Sequence, residues 1–178
     1  MKKIKIKKIK LPLFIVIIVA LIFTFIVYWQ KPVPVQYISE DLKISLSYPK
    51  GWYIDDRYQN ILLTDYETNQ NKNDKPSNQH IKIQISKASL CQQSIEEDLI
   101  LGGCGEGQRT LNKILNKESK TLSSGNLQVF RIQYPDNSEK TIYYLQGKSR
   151  TLQVSKEPDP SQFEKEFEEI INSIKFMD

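Results

Sequence analysis

The longest apolar pattern in the chain comes first. From Leu11 to Trp29 every residue is apolar or aromatic except Pro12 and Thr24. At ~1.5 Å per helical residue this run reaches about 28 Å, close to the ~30 Å hydrocarbon core of a bilayer. It predicts one transmembrane helix over residues 11–29. Pro12 falls in the first turn, where its missing N–H costs little. Tyr28 and Trp29 close the run, and amphipathic rings favour the membrane–water interface. A cleaved leader would have a shorter apolar region, ending in small residues. This run ends in Val27-Tyr28-Trp29-Gln30, so the sequence predicts a retained anchor.

After the anchor the pattern changes to a period of two. Lys31-Pro32-Val33-Pro34-Val35-Gln36 is proline-rich and extended, and residues 30–36 are expected to form a linker. Leu42, Ile44, Leu46 and Tyr48 then alternate with Lys43, Ser45 and Ser47, as in a strand with one buried face. Pro49-Lys50-Gly51 forms a turn. Trp52-Tyr53 opens a second extended stretch and Ile61-Leu62-Leu63 a third. Glu67 to Gln79 is almost wholly polar and reads as a solvated loop. Ile81, Ile83 and Ile85 mark another strand. Leu127–Tyr134, Thr141–Leu145 and Thr151–Ser155 read as a three-stranded meander, joined by turns at Pro135–Ser138 and Gln146–Ser149.

Two segments carry helical signals. Ser94-Ile95-Glu96-Glu97 has the spacing of a capping box, and Gly102-Gly103 stops the helix that follows. Near the C-terminus Phe163, Phe167, Ile170, Ile171 and Ile174 form one apolar stripe, opposite Glu164, Lys165, Glu168 and Glu169. Asp159-Pro160 is expected to cap this helix. Leu111 to Leu115 fits a helical turn or a strand equally well. The resulting class is α+β, with a basic tail (1–10), an anchor (11–29), a linker (30–36) and a folded domain (37–178).

Charge sets the orientation. The chain has 178 residues and a formal charge of +4. Six of its 25 Lys and Arg lie in the first ten residues, and no Asp or Glu precedes Glu40. The remainder holds 19 basic against 21 acidic residues, a balance of −2. Such a domain lacks the basic footprint that nucleic-acid binding needs. The leading lysines should stay in the cytoplasm by the positive-inside rule. The protein is then expected in the cell membrane as a single-pass chain, with its C-terminal domain extracytoplasmic.

In that compartment disulfides persist. Cys91 and Cys104 are the only cysteines, and they flank the short helix. A bond between them is expected, and would stabilise the fold by roughly 3 kcal/mol in the chain-entropy view.

Candidate chemistry is sparse. Gly102-Gly103-Cys104-Gly105-Glu106-Gly107 is glycine-rich, but Gln108-Arg109-Thr110 follows where a phosphate-binding loop needs Gly-Lys-Ser/Thr. His80 is the only histidine, so any triad or structural zinc site would depend on it. The acidic runs Asp55-Asp56, Glu96-Glu97-Asp98 and Glu168-Glu169 are sequence neighbours, which do not face one another across a cleft. No catalytic residue, cofactor or metal is expected. Trp52 is expected to fill the core. Tyr58 and Tyr66, beside the polar loop, are expected to be exposed and to offer a partner-binding surface.

Three features together carry a resemblance: the Ile44-Ser45-Leu46-Ser47-Tyr48-Pro49-Lys50-Gly51-Trp52 opening, the meander, and the closing helix followed by Lys175-Phe176. Over about Gln36 to Phe176 the chain resembles the PsbP/Mog-type domain, especially its membrane-anchored bacterial forms. The resemblance implies an α/β/α sandwich, an antiparallel sheet flanked by helices, and a non-enzymatic role in docking on a protein partner. The function expected is an extracytoplasmic binding or assembly module. The alternatives are an envelope-associated hydrolase and a structural component of a surface or secretion assembly.

Reversing the charge of the leading lysines should invert or scramble the orientation. Protease digestion of sealed vesicles should then protect the domain differently; unchanged protection would refute the assigned sidedness.

Overall fold

The computed structural model describes residues 33–68, 79–103 and 111–177, together with positions 16, 18 and 19. Among the described residues from 33 on, ten strands and two short helices follow in chain order. The strands are β1 (Val35–Ser39), β2 (Ile44–Tyr48), β3 (Tyr53–Arg57), β4 (Asn60–Thr64) and β5 (Lys82–Lys87). Then come helix α1 (Ile95–Ile100), β6 (Lys113–Leu122), β7 (Gly125–Gln133), β8 (Glu139–Gln146) and β9 (Thr151–Glu157). Helix α2 (Glu164–Ser173) and β10 (Lys175–Phe176) close the chain.

Two antiparallel sheets result. One has seven strands in the order β3-β4-β5-β9-β8-β7-β6, the other three in the order β1-β2-β10. Short connections explain the local pairings, since adjacent antiparallel strands need only a tight turn. Gly125 closes the β6–β7 hairpin where the β8 end approaches: a Cβ there would lie 2.1 Å from the Gln146 carbonyl oxygen.

Alternation decides which face is buried. On one face of the large sheet Ile61, Leu63, Ile83, Ile85, Leu152, Val154 and Leu145 are sealed from solvent. Leu42, Ile44 and Leu46, together with Phe167, Ile170, Ile171 and Ile174 on α2, join them in one core. The α2 stripe thus lies where its spacing predicts. Ser173 fastens it: its Oγ accepts from the Ser47 N–H at 2.8 Å. Trp52 is partly buried against the same core and meets Phe163 edge-on at 6.0 Å.

Among the described residues the other face is covered only at one end. There Ile95 and Leu99 of α1 pack with Phe130, Ile132, Ile142 and Tyr144. Across β4, β5 and β9 that face carries Leu62, Gln84, Ser155, Lys82 and Glu157 in register.

The structure therefore corrects the α/β/α sandwich implied by the family resemblance. The fold is mainly antiparallel β structure with two short helices among the described residues, and no helical layer covers the second face of the central strands. The physical reason is the polar set at alternate positions of the central strands, which gives a covering helix nothing to bury. The three-stranded sheet and α2 share the one apolar face instead.

Other expectations change in detail. Among the described residues no helix is long and apolar enough to cross a membrane. Of the anchor read over residues 11–29, only Val16, Ile18 and Val19 are described; they are helical and exposed. The rest of that run, and the basic tail, lie outside the described residues. The linker is shorter than expected, because Val35 and Gln36 already pair with Tyr48 and Ser47. Leu111 to Leu115 resolves in favour of a strand, with β6 starting at Lys113.

Asp159-Pro160 does not cap α2. The Ser161 N–H donates to Glu164 Oε1 at 2.7 Å, and Ser161 Oγ accepts from the Phe163 N–H at 3.1 Å. These bonds close the turn that leads into α2, whose N-cap position, Phe163, makes no side-chain capping bond. Ser94 does cap α1, accepting from the Glu97 N–H at 3.1 Å.

Phe167→Ala should cost about 3–5 kcal/mol, because the cavity would open between α2 and the sheet with no room to collapse. Urea unfolding of the purified protein measures it; a loss under about 1 kcal/mol would show that α2 is not part of the cooperative core.

Candidate functional site

Helix α2 covers β2 and the middle of the sheet, and the strip beyond it toward β6 is left open. The result is a groove of about 360 Å³. Its floor is Leu127 and Val129 of β7 with Tyr143 of β8. Phe167, Glu168, Ile171 and Asn172 of α2 form one wall, and Glu118, Ser119 and Lys120 of β6 the other. Register explains the β6 contribution: Glu118 pairs with Val129 and Lys120 with Leu127, so both side chains share the face of the groove floor. Tyr143 and Phe167 meet edge-on at 4.8 Å and set its inner end.

Behind that aromatic pair lies the most unusual charge of the domain. Lys156 is on the core face of β9 and only 2% exposed. Its Nζ pairs with Asp159 at 3.2 Å and with Glu164, and lies 4.9 Å from the centre of the Phe167 ring. Burial works against the ammonium, but the bond to Glu164 and the nearby Tyr143 phenol and Asp159 carboxylate outweigh it, so its pKa is raised. A buried cation with two carboxylates and an aromatic face is a satisfied structural node. It also explains why Asp159 is not free to cap α2.

Two tyrosines are held neutral far into the alkaline range. Burial, then the hydrogen bond to Asp56, pushes Tyr37 up to about 12. Burial, then the nearby charge of Asp98, pushes Tyr144 up to about 12. Asp98, on α1, is itself buried and accepts the Cys91 N–H at 2.9 Å.

The residues singled out from the sequence do not converge on the groove. Tyr58 is 88% exposed in the β3–β4 turn, as expected. Tyr66 is half-buried and meets the His80 ring at a tilt, 5.0 Å between centroids, so the two tyrosines do not form one exposed surface. His80 Nδ1 lies 3.1 Å from Asp65, whose other oxygen accepts the Ile81 N–H at 2.8 Å. This pair ties the entry of β5 to the end of β4. Cys91 is held in a disulfide. Cys104, the partner expected for it, lies outside the described residues, as does the glycine-rich stretch after it. Among the described residues no group of three or more His, Cys, Asp or Glu could hold a metal ion.

Sequence reading missed the groove. Its walls come from β6, β7, β8 and α2, and their approach is a tertiary fact. The one available signal was the run of charged and polar residues from Asn116 to Lys120 on a strand.

Stability should hold up to about pH 10 and then fall as the pH rises toward 12. Above about pH 10 the unfolded chain releases the tyrosine protons while folded Tyr37 and Tyr144 keep theirs, so unfolding is favoured by rising pH. Lys156 acts in the same direction, because its raised folded pKa is lost on unfolding. Melting temperature against pH measures this; Tyr144→Phe should make the alkaline fall shallower, and an unchanged slope would count against the assignment.

No family model matches the chain, and no curated protein matches it. Among solved structures, a 1.50 Å crystal structure from Bacteroides thetaiotaomicron is similar at 14% identity with a TM-score of 0.38. The match covers 80% of this chain and 48% of that one, so the chain spans about half the length of the protein it matches. A likeness at that level carries neither fold nor function to this chain.

Proposed function

We propose that the chain is a non-enzymatic binding or assembly module. The apolar run over residues 11–29 holds it to a membrane, and the β-rich domain lies on the extracytoplasmic side. The observation that supports this reading most directly is the groove. Its floor is apolar, its rim is charged, and it runs out to the open edge of β6. Extended protein segments bind in this way: backbone groups of the edge supply the hydrogen bonds and side chains of one face supply the specificity.

The chemistry of the lining supports binding over hydrolysis. Glu118 and Glu168 are exposed on opposite walls of the groove, where they form a charged rim to an apolar floor. The buried ionic node at Lys156 is closed off behind Tyr143 and Phe167. The one histidine is engaged with Asp65 at the β4–β5 end.

Ser119→Pro tests the reading. Proline removes an edge N–H and places its ring against an incoming strand, while an edge position tolerates it. The full-length protein, purified in detergent, should carry a stoichiometric polypeptide partner by light scattering and mass spectrometry, and the variant should lose it. A wild-type chain that purifies alone, at the mass of a single copy, would remove the proposal.

A further inference from the structure

We infer that the partner of the β6 edge is a second copy of this chain, joined by antiparallel pairing of β6 with β6 about a two-fold axis at Ser119. This rests on the binding reading above and specifies it.

Among the described residues β6 is hydrogen-bonded on one side only, to β7. It is ten residues long and exposed along most of its length. Such an edge is a template for another strand unless its charges forbid it. Here the charges select a register. Glu118 and Lys120 lie two residues apart on the groove face and are opposite in sign. Glu118 accepts only from the neutral Asn116 amide, at 3.0 Å, and Lys120 has no ion pair among the described residues. By contrast Lys117, on the other face, is already paired with Glu96.

A two-fold axis perpendicular to the sheet keeps both groove faces on the same side. Residues of one parity must then pair with each other. With Ser119 on the axis, Glu118 of each copy stands opposite Lys120 of the other, twice over, and Lys117 stands opposite Thr121. Moving the register to centre on Glu118 sets that carboxylate against its own copy. Centring on Lys120 sets two ammonium groups together. Like charges directly opposite destabilise a pair and unlike charges stabilise it, so one register stands out. The same register uses the peptide groups of Lys117, Ser119 and Thr121. These are the groups that a two-residue hairpin connection at Ser123-Ser124 leaves facing away from β7. The two grooves then meet across the axis as one apolar-floored channel. A foreign strand has no comparable feature of the edge to select it.

The test uses the full-length protein in detergent. Ser119→Cys should give a covalent dimer under mild oxidation, with peptide mapping showing the two introduced thiols joined to each other. Lys165→Cys, on the exposed face of α2, should not. Sedimentation should show the dimer of E118K or K120E weakened about tenfold, and the double variant E118K/K120E recovering to within about twofold of wild type. Three results would overturn the inference: a monomer at all concentrations, a cross-link to a different polypeptide, or a double variant as weak as the singles. A cross-link to a different polypeptide leaves the binding reading standing. A lone monomer with no partner at all removes both.

Discussion

One-sided burial of the seven-stranded sheet is the constraint on which the rest of the domain depends. Apolar residues at alternate positions of β4, β5, β8 and β9 make a face that water disfavours, and something must cover it. The cover is a composite. Helix α2 takes the middle of the face, and the β1-β2-β10 sheet brings Leu42, Ile44 and Leu46 to the same core. The opposite face needs no such cover across its central strands, and α1 suffices at the β6–β8 end. Among the described residues, two short helices therefore accompany ten strands.

The cover is held by polar contacts that exploit the same geometry. Lys156 stands among apolar residues on the core face because its register position puts it there. Asp159 and Glu164 then reach it from the connection into α2 and from its first turn. Glu164 serves twice, since its other oxygen takes the Ser161 N–H. One carboxylate thereby links the start of the helix to the buried end of β9. Removing both carboxylates would leave the Lys156 ammonium desolvated without compensation, the costly outcome for a buried ion.

The open strip beside α2 follows from the size of that cover. A helix of ten residues is about 15 Å long at ~1.5 Å per residue, and the sheet is seven strands wide. At a strand spacing of ~4.8 Å one helix cannot shield every strand. The uncovered floor at Leu127, Val129 and Tyr143 and the open β6 edge are thus two aspects of one geometric shortfall. A strand added to β6 would extend the sheet in plane and pair its open edge.

Much of this was legible in the residues themselves. Period-two alternation at Ile44-Leu46-Tyr48 and Ile81-Ile83-Ile85, the meander, the α2 stripe and the Ser94 cap all rest on local physics, where side-chain spacing alone selects the conformation. The polar residues Lys82, Gln84 and Ser86 are equally local, yet the expected sandwich passed over them, and Asp159-Pro160 was expected to cap α2 although the turn before the helix is closed by Ser161 and Glu164. Other features depend on parts of the chain meeting across long sequence separations. The partition into two sheets sharing one core, the satisfied burial of Lys156, the half-buried setting of Tyr66 and the groove between β6 and α2 arise only when those parts meet. Sequence spacing determines which face of an element is apolar; only the assembled fold determines what that face meets and what stays uncovered.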